Sequence, residues 1–130
     1  MRGQIVTFDR FPGRHSMSGD RLFLLAPGFR DPERRGRFFI CPRCNAIEGL
    51  LGSFPGLATQ IEVHRLPFEK PRQAIIELLG EGHQSLPVLV FDDNKPVPDE
   101  AQIANGRRFI DSSERILHYL ADRYGFPHLH

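Results

Sequence analysis

The stretch Phe38-Phe39-Ile40-Cys41-Pro42-Arg43-Cys44 runs directly into Asn45-Ala46-Ile47-Glu48-Gly49-Leu50-Leu51, and it constrains the fold more than any other part of the chain. It holds both cysteines of the protein, separated by two residues. An aromatic and aliphatic run leads into them, and Ile47, Leu50, Leu51 and Phe54 follow at the i, i+3, i+4, i+7 spacing of one helix face. Cys41 is therefore expected at or just before a helix start, with Cys44 in the first turn. Pro42 suits the first helical position, where its missing N–H costs nothing.

Unpaired N–H groups and the positive end of the helix dipole favour an anion at such a place. A cysteine there can ionise at neutral pH and act as a nucleophile. Cys41 is the expected nucleophile, having the better solvent access and more of the dipole. Cys44, tucked against the helix, is the expected resolving thiol, and Arg43 adds positive charge beside the pair. Three other readings compete. A structural zinc site needs four ligands, and here a second cysteine pair is missing while His15, His64, His83, His118, His128 and His130 show no pairwise ligand spacing. No metal is therefore expected. A static disulfide closing so short a loop would constrain little of the unfolded chain. Two unrelated buried cysteines are the remaining alternative.

A length of 130 residues is that of one domain with a real core. Hydrophobic residues make up 40% and charged residues 25%, and the formal charge is +1, so nothing global argues for nucleic acid or membrane as a partner. No apolar run approaches the ~20 residues of a membrane span. A cysteine pair of this spacing suits a redox pair in a reducing compartment, so a cytoplasmic location is expected.

Residues 1–19 carry little pattern and lack the apolar core of a secretory signal; they are expected to form a poorly ordered extension, with Met17 an alternative start. The domain is expected over residues 20–130. Arg21-Leu22-Phe23-Leu24-Leu25-Ala26, closed by Pro27-Gly28, reads as a buried strand. A loop from Phe29 to Arg37 follows, with Asp31, Glu33 and four arginines; it is either solvated or a basic rim beside Cys41. The first helix should end near Gly52 to Pro55. Ile61 to Leu66 alternates as a strand, with His64 on its surface. Pro71 opens a helix over Arg72 to Leu79, with Ile75, Ile76 and Leu79 inward and Gly80 as its stop. Pro87-Val88-Leu89-Val90-Phe91 is a second buried strand, and its X-Pro bond at the mouth can be cis. After the turn Asp92-Asp93-Asn94-Lys95-Pro96 comes an irregular connection to Gly106. Arg107 to Ile110 is then a short strand in hairpin pairing with the previous one. Asp111-Ser112-Ser113 caps a last helix carrying Ile116, Leu117, Leu120, Ala121 and Tyr124, stopped by Gly125. The expected order is βαβαββα: a four-stranded mixed sheet with helices on both faces, two crossovers giving parallel pairs and a late antiparallel edge.

With these elements in order, the chain resembles the thioredoxin-like superfamily, in its glutaredoxin and glutathione S-transferase N-terminal branch. Four features carry the resemblance: Cys41-Pro42-Arg43-Cys44 after the first strand, Leu86-Pro87 opening the third, Gly106 to Ile110 as the fourth, and Ser112-Ser113 before Ile116-Leu117-His118-Tyr119-Leu120. From Arg21 to His130 the chain looks like a small bacterial family of unknown function classed as thioredoxin-like. The resemblance implies a nucleophile at Cys41, a resolving thiol at Cys44 and a cis-proline at Pro87 facing the dithiol. Leu86 would offer backbone groups to an extended thiol peptide, and Ser113, beside Ser112, would receive the glutamyl carboxylate of glutathione at a helix start. Ser112 stands where the family usually has Glu or Gln, and the arginine-rich loop is longer than in glutaredoxins. The all-helical domain of a complete glutathione transferase is not expected. The implied function is thiol–disulfide exchange: Cys41 attacks a substrate disulfide and Cys44 resolves the mixed disulfide. No cofactor is bound in this scheme; glutathione or a protein thiol serves as co-substrate. The alternative is a non-catalytic adaptor that keeps the fold and an oxidisable pair.

Overall fold

The run Arg21-Leu22-Phe23-Leu24-Leu25 is continuously apolar after its first residue because strand β1 (Arg21–Leu25) is covered on both faces. Leu22 and Leu24 join one core cluster and Phe23 the other. The same division holds in the neighbouring strands. In β3 (Val88–Val90), Leu89 points one way and Val88 and Val90 the other; in β5 (Arg107–Ile110), Ile110 and Phe109 divide likewise. This is the two-residue period of side chains on a pleated sheet. Ile47 and Leu51 of helix α1 (Pro42–Ser53) and Ile116, Leu117 and Leu120 of helix α4 (Ser113–Tyr124) seal the first face. Ile75, Leu78 and Leu79 of helix α3 (Gln73–Leu79) seal the second. Ile76, expected inward, is only half-buried, and Leu78 takes the inner position.

The computed structural model describes residues 19–130. The extension expected over residues 1–19, including Met17, lies outside the described residues except for Gly19. The remaining elements are a one-turn helix α2 (Pro55–Ala58), strand β2 (Glu62–Leu66) and strand β4 (Gln102–Ala104). The architecture is mixed α/β, with one open five-stranded sheet in the order β2-β1-β3-β5-β4.

The expected four strands are therefore corrected to five. The connection that reads as irregular contains β4, an edge strand pairing with β5 through Gln102↔Phe109, Ile103↔Arg108 and Ala104↔Arg107. Its side chains are mostly exposed, so no apolar alternation betrays it. Asn105 (φ 50°) and Gly106 (φ 74°) form the two-residue turn, both in the left-handed region that a tight hairpin requires.

A second correction concerns direction. β1 and β2 are parallel, as a helical crossover dictates, but β3 runs antiparallel to β1 with Phe23 opposite Val88 and Arg21 opposite Val90. The chain leaves β2 at the Leu66 end of the sheet and enters β3 at that same end. Seven residues of α3 span only about 10 Å, and the segment 80–87 brings the chain back. The expected antiparallel pairing of the last strand is present, between β3 and β5. The consequence is spatial: the end of β1, the start of α1, the start of α3, the start of β3 and the start of α4 all lie at one end of the sheet.

The opposite end is closed by Asp20. Its side chain is buried and accepts hydrogen bonds from Tyr119 Oη at 2.7 Å, from Tyr124 Oη, and from the backbone N of Asp92 at 2.9 Å. These bonds fasten the start of β1 to α4 and to the end of β3. Among the described residues no helix is long and apolar enough to cross a membrane.

Candidate functional site

Cys41 is the N-cap residue of α1, with extended backbone (φ −87°, ψ 116°) and Pro42 at the first helical position. Its Sγ accepts the backbone N–H of Cys44 at 3.3 Å, so the sulfur occupies the place that a capping serine or aspartate oxygen takes elsewhere. Cys41 is partly exposed. Cys44, one turn on, is only 1% exposed and belongs to the core cluster with Ile47 and Leu51. The backbone N–H of Leu25, the last residue of β1, donates to Cys44 Sγ at 3.3 Å. One thiol thus faces outward at the helix start and the other is held beneath it by the sheet.

Their environments differ in chemistry as well. Burial pushes the Cys44 thiol up from 9.0 to about 12, against the Leu25 N–H, which favours its thiolate. The hydrogen bond it shares with Cys41 and the charges of Cys41 and Glu48 add to the rise. Cys44 is therefore held protonated at neutral pH. Glu48 is itself engaged: both its oxygens accept from Arg65, at 2.7 Å each, which ties β2 to α1.

Pro87 is buried immediately before β3, and the Leu86–Pro87 peptide is cis. Continuing the register from Phe23↔Val88 puts this peptide beside the last two residues of β1, where Leu25 meets Cys44. Leu86 packs against both core clusters and shares the first of them with Cys41. Ser112 is the N-cap of α4: its Oγ accepts the backbone N–H of Arg115 at 3.3 Å. Ser113 is the first helical residue and makes no side-chain hydrogen bond among the described residues. The two serines share the dithiol's end of the sheet, yet no hydrogen bond joins them to the cysteines. Arg43 lies exposed on α1 without a carboxylate partner among the described residues. His64, on β2, is engaged with Glu62 at 2.5 Å and stacks on Phe23 at 4.9 Å.

One residue that sequence reading passes over belongs here. Arg72, the residue before α3, is half-buried and interacts electrostatically with both Cys44 and Cys41. Its Nη1 donates to Gln84 O at 2.7 Å and its Nη2 to Phe68 O at 2.5 Å, so two neutral carbonyls fix the guanidinium between the loops flanking α3. The Gln84 side chain completes the clamp by accepting the Arg72 backbone N–H at 2.8 Å. Nε is buried and has no partner. Burial lowers the Arg72 pKa, while the cysteines and Glu69 work the other way. A guanidinium hydrogen-bonded only to neutral carbonyls favours anions nearby, Glu69 among them, and a thiolate at the cysteines would be another. In the sequence Arg72 is one of the charges of Glu69-Lys70-Pro71-Arg72, indistinguishable from a solvated cation; only the carbonyls of Phe68 and Gln84 reveal it.

The arrangement presents one thiol outward at the start of α1 and brings a second, protonated thiol to the same sulfur from below. Among the described residues no cluster of three or more His, Cys, Asp or Glu side chains is placed to hold a metal ion. No curated protein and no solved structure matches the chain. The model of a family described as "Protein of unknown function (DUF3088)" matches residues 19–128, and the chain belongs to that family.

Proposed function

We propose that the chain is a thioredoxin-like domain of glutaredoxin type and acts as a thiol–disulfide oxidoreductase through Cys41 and Cys44. The observation that carries this is the N-cap geometry: an outward sulfur accepting a first-turn N–H, with a buried partner thiol directly beneath it. The parallel β1–β2 pair, the antiparallel β3 entered through Leu86-Pro87, and the clamped Arg72 support the same reading.

In the proposed cycle the Cys41 thiolate attacks one sulfur of a substrate disulfide. That S–S bond breaks, a mixed disulfide with Cys41 forms, and the first substrate thiolate leaves and takes a proton. Cys44 then attacks the Cys41 sulfur, giving up its proton to the second departing substrate thiolate. The substrate has gained two electrons and two protons, and Cys41–Cys44 is left as a disulfide. Two molecules of glutathione, or one protein dithiol, return the two electrons and are themselves oxidised to a disulfide. Arg72 supplies fixed positive charge within electrostatic reach of both sulfurs, and the donors at the start of α1 orient the attacking one. Ser113, with its free hydroxyl at the start of α4, is the candidate contact for a glutathione carboxylate. A reducing compartment such as the cytoplasm suits this cycle.

The test is turnover of the mixed disulfide of glutathione and 2-mercaptoethanol, with excess glutathione as reductant. Turnover that disappears in Cys41→Ser is the expected result. A wild-type protein with no turnover, whose cysteines stay reduced across glutathione redox buffers, would refute the assignment and favour an adaptor.

A further inference from the structure

The segment between β1 and α1 is a braced flap. At its base Gly28 and Phe29 both donate their N–H to Phe39 O, at 2.9 and 3.0 Å, and Phe39 returns one to Phe29 O at 2.8 Å. The Phe29 ring stacks on Phe68 with centroids 4.6 Å apart, on the loop whose carbonyl holds Arg72. The base lies two residues before Cys41. What the flap raises above it is positive and apolar. Arg30, Arg34, Arg35 and Arg37 stand against Asp31 and Glu33, giving the flap +2 where the whole chain carries +1. Asp31 is turned into its own loop: its Oδ1 accepts Glu33 N at 3.0 Å and its carbonyl accepts Arg34 N at 2.9 Å. None of the four arginines forms an ion pair among the described residues. Arg30 lies over the ring of Phe38 at 4.3 Å, while Phe38 and Ile40 remain 66% and 52% exposed.

Resting on the oxidoreductase reading of the same site, we propose that this flap docks an acidic protein segment and presents its disulfide to Cys41. Guanidinium groups without carboxylates are matched by Asp and Glu side chains, which they bind in paired hydrogen bonds. The exposed Phe38 and Ile40 beside them provide contact area that a free tripeptide would leave largely uncovered. Single-stranded nucleic acid would also meet arginines and aromatic rings, but the thiols at the foot of the flap act on sulfur, which points to protein.

Docking is read without thiol chemistry by fluorescence anisotropy on the full chain carrying Cys41→Ser and Cys44→Ser. The probes are two labelled peptides, Glu-Asp-Leu-Ser-Tyr-Asp-Glu and Lys-Lys-Leu-Ser-Tyr-Lys-Lys, and a twelve-nucleotide oligo-dT. The acidic peptide is expected to bind about tenfold or more tighter than the basic one at low salt. The advantage should vanish near 1 M salt, where the Debye length is about 3 Å. It should also vanish in the Arg34→Gln, Arg35→Gln, Arg37→Gln variant and shrink in Phe38→Ala; all four positions are exposed, so the fold, checked by circular dichroism, should be kept. Equal binding of the two peptides, a preference that survives the arginine substitutions, or tighter binding of oligo-dT than of the acidic peptide overturns the proposal. A protein that turns over the small mixed disulfide yet ignores peptide charge overturns docking alone. One that discriminates the peptides but lacks turnover keeps the docking surface and overturns the oxidoreductase reading.

Discussion

Replacing Cys41 by serine leaves Cys44 as the single thiol of the protein, and its reactivity then reports directly on burial. Burial beneath the start of α1 is the largest reason its pKa stands at about 12 instead of 9.0, and the substitution leaves that burial in place. The serine oxygen can still accept the Cys44 S–H. At pH 8 a thiol of pKa 9.0 is about one-tenth thiolate, whereas one at about 12 is ionised in about one molecule in 10⁴. Ionisation alone thus slows alkylation by up to about a thousandfold, less the part of the rise that Cys41 itself contributes and the variant loses, before the 1% exposure of the side chain is considered. The assay is the rate of iodoacetamide modification of Cys41→Ser between pH 7 and 10.5, followed by mass spectrometry. The same variant unfolded in guanidinium chloride is the reference. The folded protein should show a rate still rising tenfold per pH unit at pH 10, while the unfolded reference levels off near 9. A folded rate at pH 8 within tenfold of the reference, or a plateau near pH 9, would refute the placement of Cys44 as a buried, protonated thiol. Repeating the measurement in low urea separates reaction through transient opening, which accelerates with denaturant, from reaction in the closed state.

Four further outcomes follow from the same geometry. Arg72→Gln keeps a donor for the carbonyls of Phe68 and Gln84 but removes the charge beside the cysteines. Alkylation of Cys41 at pH 7 in a Cys44→Ser background should slow several-fold, with the difference shrinking in high salt; an unchanged rate would mean that the cation serves only the loops. Ser112→Ala removes the cap of α4 and should cost about 0.5–2 kcal/mol in urea unfolding. Ser113→Ala should leave stability nearly unchanged and weaken glutathione binding to a Cys41→Ser protein, as calorimetry can read; indifference to Ser113 would leave the helix start a plain cap. Alkaline stability should also fall. Burial raises both the Cys44 and the Tyr119 pKa, and the hydrogen bond to Asp20 adds to the latter. The unfolded chain therefore loses these protons first. Their stabilisation is complete below pH 9 and is lost as pH climbs, at about 1.4 kcal/mol per pH unit for each group. Urea midpoints from pH 8 to 10.5 should decline, and more gently in Cys44→Ala between pH 9 and 10.

Much of the fold was legible because most elements state their own period. The unbroken apolar run of β1 and the Ser-Gly punctuation of α4 survive as read, while the stripe after Cys44 holds at Ile47 and Leu51, with Leu50 partly buried and Phe54 exposed past the end of the helix. β4 escaped because pairing on one side only leaves its side chains exposed. Its signal was present in Asn105-Gly106, the dipeptide that most favours a two-residue hairpin, read instead as the end of an irregular connection. The direction of β3 was not visible either, since a seven-residue helix between strands reads as a parallel crossover until the return path of residues 80–87 is seen. That reversal matters for the site, because it carries Leu86-Pro87 to the same end as Cys41. The thiols and Pro87 have chemical or conformational character of their own and could be picked out individually. Arg72 and Asp20 could not, because each owes its character to backbone groups and side chains brought from far along the chain.

For Asp20 that remoteness governs time as well as stability. The bonds described above reach across 72, 99 and 104 residues. Each closes a loop longer than half of the described chain, so the bond to Asp92 waits for β1 and β3 to meet and those to the tyrosines wait for α4. The carboxylate should therefore act as a latch engaged after the folding barrier has been crossed. In stopped-flow chevrons, Asp20→Asn should leave the refolding rate close to that of the wild type and place the loss of stability in faster unfolding, a φ-value near zero. A slowed refolding limb would mean instead that the two ends of the chain find each other early, and that the end of the sheet farthest from the cysteines is where folding begins.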